Sequence, residues 1–210
     1  MMKGREMPIP VVDPSNVGIM LVDAQPFFWD CMHGAQEPVL VRIQRLLMLA
    51  DWLRIPFIVT FEHPVETKGW LPERLEGVFP SHGQRFVKRT FNCCTDASIR
   101  GAIVRSQIRQ VAVAGAETDV CVLQSCLGLL GMQLQVFLLE DCIFTSEHHA
   151  RPALERMHRA GVVPCTLKAF FYELMRTVDK EALPAKWKAR ADSFAEHFQL
   201  ESLPPFEPAA

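Results

Sequence analysis

The sequence predicts a three-layer α/β/α sandwich with a mainly parallel, Rossmann-like central sheet, and three observations predict it. Short apolar runs of strand length recur along the chain, and helix-length segments with apolar residues at helical spacing separate them. The runs are also continuously apolar, as in strands buried on both faces, and parallel strands need crossover helices to cover those faces. At 210 residues, 49% of them hydrophobic, with no composition break, the chain is expected to form a single domain over 1–210. Its core is expected at about 15–176 and a helical tail at about 181–200.

In chain order, NVGIMLVD (16–23) reads as the first strand and EPVLVRIQRLLMLADWLR (37–54) as an amphipathic helix. IPFIVTF (55–61) is the second strand. The stretch from 62 to 86 carries prolines, glycines, Trp70 and Phe79, and so long an irregular connection suggests a lid or pocket wall. FVKRTFN (86–92) is a short strand or its approach, and TDASIRGAIVRSQ (95–107) a helix opened by Thr95 or Asp96. QVAVAGA (110–116) is the third main strand, followed by a helix over about 118–132. LQVFLLED (134–141), SEHHARPALERMHRAG (146–161) and VVPCTLK (162–168) read as strand, helix and last strand. In the tail, Leu183, Trp187, Ala191, Phe194 and Phe198 share one helical face, which could dock on its own domain or on a second subunit.

Twenty-two Lys and Arg against twenty-four Asp and Glu give a formal net charge of −2, with no basic face for nucleic acid. The expected partners are a small-molecule substrate and a second copy of the chain, as a homo-oligomer. Seven cysteines without a C-x-x-C pair suggest neither a disulfide framework nor a zinc ribbon, and fit reduced thiols in a cytoplasmic protein. The first residues lack an apolar stretch of signal-peptide length, and no run approaches the roughly 20 apolar residues of a membrane span.

In open parallel sheets ligands gather beyond the carboxyl ends of the strands, and three expected strand exits carry chemistry: Asp23, Lys88 and Cys121. GAETDVCV (115–122) puts Cys121 in the first turn of a helix, where free N–H groups favour a thiolate. Asp23 could act as its base and Lys88 as the cation that holds both. Each also has a plain structural reading: Cys121 as a small buried hydrophobe, Asp23 as a cap, Lys88 as a solvated charge.

LVDAQPFF (21–28), FVKRTFN (86–92) and VAGAETDVCV (113–122), in that order, resemble the isochorismatase-like cysteine hydrolases, over about residues 15–176. That group also contains nicotinamidases and N-carbamoyl amidases. The resemblance implies cleavage of an amide or carbamoyl C–N bond through a thioester. Asp23 would take the proton of Cys121 and return it to the leaving amine, and Lys88 would hold Asp23 and the substrate. It also implies a cis peptide between Ala116 and Glu117, which would aim the Glu117 and Cys121 N–H groups at one oxyanion. Thr118 and Asp119 would suit the helix start.

Nicotinamidases of the group bind a metal through a D-x-H pair and a second His after the second strand. Here FEHPVETKGW offers Glu62 and His63 without that pair, so the resemblance implies the metal-free branch, with no metal and no cofactor. True isochorismatases cleave a vinyl ether without a cysteine, so Cys121 argues against that reaction. The expected pocket residues are Phe28, Trp29, His63, Trp70 and Phe91, and of the neighbours Phe27 and Phe28 at least one must face the core. CTDASIR (94–100) has the C-x5-R spacing of a phosphatase loop but puts Asp96 where the anion would sit. Two other readings stay open: a non-catalytic oligomeric scaffold, and a thiol sensor in which Cys126 or Cys142 resolves an oxidised Cys121.

Overall fold

The computed structural model describes residues 11–185, 187–188 and 203–205. Six strands form one sheet: β1 (Val17–Val22), β2 (Phe57–Glu62), β3 (Gln84–Lys88), β4 (Gln110–Gly115), β5 (Gln135–Ile143) and β6 (Val163–Cys165). Their order is β3-β2-β1-β4-β5-β6, and all five pairings are parallel. β1, β2 and β4 are almost wholly buried, which accounts for their unbroken apolar sequences.

Alternate strand side chains feed two separate cores. Ile19, Leu21, Phe57, Val59, Ala112 and Phe137 pack against α1 (Pro26–Cys31), α2 (Gln36–Leu53) and the later α8 (Leu167–Met175). Met20, Val22, Ile58, Val111, Val113 and Leu138 face α5 (Ala97–Arg105), α6 (Leu123–Gly131) and α7 (Arg151–Ala160). Helices therefore cover both faces, as the three-layer expectation requires.

Several boundaries move for local reasons. The stretch expected to be irregular, 62–86, holds two one-turn helices, α3 (Val65–Lys68) and α4 (Glu73–Glu76), with Leu71 and Leu75 buried in the first core. β3 lies upstream of its expected 86–92, because Lys88 is the last residue that pairs with β2 and a short 3-10 turn, Cys93–Thr95, follows. Asp96 caps α5 by accepting from the Ser98 and Ile99 N–H groups, so in the C-x5-R segment a carboxylate fills the place a phosphate would need. The helix expected from 146 begins at Arg151: Pro152 suits a first helical turn, and Ser146 is held elsewhere by Glu117. The short helix α1 was not foreseen; Pro26 again marks its start.

A buried ion pair, Arg42 Nε to Asp141 Oδ2 at 3.2 Å, ties α2 to β5, and Arg42 also donates to the Pro204 carbonyl. Leu183, Trp187 and Leu203 pack on the first core, so the described part of the tail docks on its own chain. Ala191, Phe194 and Phe198 of the expected stripe lie outside the described residues. Among the described residues no helix is long and apolar enough to cross a membrane. All seven cysteines are unpaired thiols, and only Cys31 is exposed.

Candidate active site

Four adjacent strand ends meet at one point. Asp23 follows β1 in the left-handed region at φ 44° and is anchored by its own backbone: its N–H donates to the Thr60 carbonyl at 3.0 Å, and the Thr60 hydroxyl donates to Oδ1 at 2.9 Å. Lys88 closes β3 in register with Glu62, which closes β2. Gly115 closes β4 at φ 112°, and a Cβ there would lie 1.9 Å from the Val22 carbonyl oxygen, so no other residue fits beside the end of β1. The chain then passes a cis Ala116–Glu117 peptide, the bond singled out by the resemblance, and enters a π-type turn, Thr118–Val122, that carries Cys121 into α6.

The side chains converge. Lys88 Nζ lies 2.6 Å from Asp23 Oδ2, 3.6 Å from Glu62 Oε2, and donates to Cys121 Sγ at 3.3 Å. The thiol donates to Glu62 Oε2 at 3.1 Å. Asp23, Lys88 and Cys121 are buried, and Lys88 Nζ brings the three expected strand exits together. Glu62 is the member that sequence reasoning missed; it was weighed only beside the absent metal pair. Gln25, two residues after Asp23, was also missed, although its buried amide bonds both the N–H and the carbonyl of Glu62.

The electrostatics revise one expectation. Burial, reinforced by the charges of Asp23 and Glu62 and only partly offset by Lys88, pushes the Cys121 thiol well above its ordinary pKa, so its place near a helix start does not make it a resting thiolate. Burial also raises Asp23 despite the adjoining lysine. Burial works against the charge of Lys88, but Asp23, the thiol and Glu62 outweigh it and hold the ammonium above its usual value. Burial would raise Glu62 too, yet the bond from Lys68, the bond from the Cys121 thiol and the charges of Lys88 and Lys68 keep it below the usual carboxylate value.

One donor atom from each of Asp23, Glu62 and Cys121 falls within 4.8 Å of the others, which is close enough to hold a metal ion. Lys88 Nζ already stands within 3.6 Å of all three, so a metal would have to displace a buried ammonium. The donor set fits a lysine-centred cluster better than a metal site.

Of the expected pocket residues, Trp70 and Phe91 are exposed, His63 is half-buried next to a cis Pro64, and Phe28 is buried with the Lys68 ammonium 5.5 Å from its ring. Trp29 is corrected to the core: its ring stacks on Phe144 at 3.9 Å and its Nε1–H donates to the Ala24 carbonyl. Phe27 and Phe28 diverge, the first exposed and the second buried. Thr118 and Asp119 do not cap the turn; Asp119 accepts from the Thr145 hydroxyl instead. The Glu117 N–H meets no acceptor among the described residues.

The family model described as Isochorismatase domain matches residues 18–169. Among curated relatives, isochorismatase domain-containing protein 2A of Mus musculus is 29% identical over 165 residues, 78% of this chain and 77% of the relative. Among solved structures, the MAR1 ribonuclease of Caenorhabditis elegans has a TM-score of 0.80 at 25% identity, covering 95% of this chain and 98% of that one. YcaC of Escherichia coli, described as an octameric hydrolase of unknown specificity, has a TM-score of 0.76 at 22% identity over 91% and 96%. The nicotinamidase PncA of Bacillus subtilis has a TM-score of 0.62 at 14% identity over 71% and 99%. With the domain match spanning most of the chain and the same parallel architecture in its structural neighbours, this protein belongs to the isochorismatase family.

Proposed function

We propose that the protein is a cysteine hydrolase that cleaves an amide or carbamoyl C–N bond of a small molecule through a thioester on Cys121, served by Asp23 and Lys88. The observation that carries this reading is a single buried thiol set against a carboxylate–lysine ion pair, with Lys88 Nζ 3.3 Å from Sγ. Alone, so buried a thiol would be inert; beside a fixed ammonium its anion is stabilised as it forms, and a carboxylate stands ready for the proton. The thiolate attacks the carbonyl carbon, and the N–H groups of Glu117 and Cys121 form the oxyanion hole. Asp23 gives a proton to the departing amine, and water then hydrolyses the thioester.

Lys88 supplies the positive charge at the cluster, so the scheme calls for no cofactor. Phe28, His63, Trp70 and Phe91 would line the approach and favour a planar or aliphatic amide. The nicotinamidase among the structural neighbours is named for an amide substrate, which suits the reading. The Caenorhabditis elegans neighbour is named a ribonuclease; with a formal net charge of −2 this chain has no net excess of cations to hold an RNA backbone, so RNA serves as the control substrate. By the same reading the protein acts as a homo-oligomer, as the octameric Escherichia coli neighbour does.

The test is ammonia release from a panel of small primary amides and N-carbamoyl compounds, with acid-quenched intact mass to catch the acyl-enzyme. Turnover by the wild type, none by Cys121→Ala, and an adduct on Cys121 are expected. Turnover that survives Cys121→Ala, or a panel left untouched with Cys121 unmodified, would overturn the reading.

A further inference from the structure

The turn that carries Cys121 is held from outside by the segment that follows β5. The Phe144 N–H donates to the Gly115 carbonyl at 3.1 Å, and the Phe144 carbonyl accepts the Thr118 N–H at 3.1 Å. Next along the segment, the Thr145 hydroxyl donates to Asp119 Oδ1 at 2.6 Å, and the Ser146 N–H donates to Glu117 Oε1 at 3.1 Å. Within the turn, the Val120 and Val122 N–H groups both close on the Glu117 carbonyl, at 3.1 and 3.0 Å.

Thr145 is itself fixed on every side. It is 5% exposed, its hydroxyl oxygen accepts the Glu147 N–H at 3.2 Å, and its carbonyl accepts the His33 N–H from beyond α1 at 2.9 Å. With a donor already on the oxygen, the hydroxyl proton is committed to Asp119. Of the links just described, Thr145 to Asp119 joins two side chains, so a substitution can remove it without touching the backbone.

We propose that Thr145 is a positioning residue of the hydrolase site: by holding Asp119 it fixes the turn whose Glu117 and Cys121 N–H groups receive the oxyanion. The assignment rests on the hydrolase reading above. Asp119 stands midway between the two donors in the chain, so a shift there moves both. Oxyanion donors act by standing in place before charge develops, and a single π-type turn between a strand and a helix does not have the repeated bonding of a long helix to hold it there. Thr145 does not act on the sulfur. Besides burial, the groups that shift the Cys121 thiol are Asp23, Lys88 and Glu62. Loss of the Thr145 hydroxyl should therefore slow a step that passes through an oxyanion and spare one that does not.

The test compares two reactions of Cys121 in the full chain, both followed by peptide mass spectrometry. The ester para-nitrophenyl acetate acylates sulfur through a tetrahedral oxyanion, whereas iodoacetamide alkylates it by direct displacement at a saturated carbon. Thr145→Val keeps the side-chain shape and drops the hydroxyl. Its acylation should slow by about tenfold or more, short of the roughly 100- to 1000-fold that loss of a whole oxyanion donor costs, while its alkylation keeps the wild-type rate. Thr145→Ser, which keeps the hydroxyl, should restore acylation. A merely structural role would lower the two rates together.

Equal slowing of both reactions in Thr145→Val, wild-type acylation in that variant, or acylation as slow in Thr145→Ser as in Thr145→Val would overturn the assignment. Ammonia release that depends on Cys121 would then show that the hydrolase reading stands. If wild-type Cys121 is alkylated by iodoacetamide but takes no acetyl group, and the amide panel yields no ammonia, the hydrolase reading fails and this assignment falls with it.

Discussion

Replacing Lys88 by methionine removes the positive centre of the site and leaves the volume nearly unchanged. Lys88 and Asp23 side chains are both at 0% exposure with Nζ and Oδ2 2.6 Å apart, and taking one partner from such a pair costs about 3–5 kcal/mol because the other charge is left buried. The variant has a way to reduce that cost: Asp23 can fold protonated. At pH 7, about three pH units above its ordinary value of 3.8, carrying that proton costs about 4 kcal/mol at about 1.36 kcal/mol per unit, which caps the charge contribution. The sign follows from linkage. Removing the ammonium raises the folded pKa of Asp23 further above its unfolded value, so its contribution is fully present below the unfolded pKa and is lost as pH rises through the folded one. Lys88→Met should therefore be about 3–4 kcal/mol less stable than wild type at pH 7, with the gap closing by about 1.4 kcal/mol per unit on acidification. Urea unfolding at several pH values from neutral down to about 5 measures it. A gap below about 1 kcal/mol at pH 7, or one that does not change with pH, would refute the argument that Asp23 is a buried charge held by Lys88.

Two other substitutions probe the frame around the site. Gly115→Ala would set a methyl 1.9 Å from the Val22 carbonyl oxygen and force a side chain into left-handed backbone, so β1 and β4 must part at their ends; thermal melting and Cys121-dependent ammonia release should fall together, whereas near-wild-type values for both would show the contact to be dispensable. Trp187→Ala removes a buried indole from the first core and should cost about 3–5 kcal/mol if the tail docks on its own chain; a change within about 0.5 kcal/mol in urea unfolding would mean that this packing contributes nothing.

What the sequence made legible were features written in single segments. Six strand positions, both helical layers and the cluster of Asp23, Lys88 and Cys121 followed from apolar runs and from what stands where they end. The start of α7 was legible in Pro152 but was read from Ser146, because a serine before an apolar-periodic stretch looks like a cap until its N–H is seen bonded to Glu117. Trp29 was read as a pocket residue since it stands next to Phe28, and only the stacking of its ring on Phe144, more than a hundred residues away, shows that it belongs to the core. The thiol was expected to ionise from its place at a helix start, but burial opposes it, and so do the carboxylates of Asp23 and Glu62 that arrive from the ends of two other strands.

Glu62 was hidden for a deeper reason, which is the sheet order. In β3-β2-β1-β4 the residue on each strand end stands one strand further from Cys121 as one moves from β1 to β3, at about 4.8 Å per step. The side chains lengthen in the same sequence: Asp23 on the neighbouring strand, Glu62 on the next, Lys88 on the third. Each residue type is thus what its strand needs to bring one polar atom to the sulfur. A reader of the chain meets Asp23, Glu62 and Lys88 without knowing that β2 lies between β1 and β3, so a glutamate beside a histidine looks like half of a missing metal motif. Once the strand order is known, the second carboxylate is the residue whose reach fits the gap between the other two. The same geometry makes the length of each side chain, and not its charge alone, a condition for the cluster.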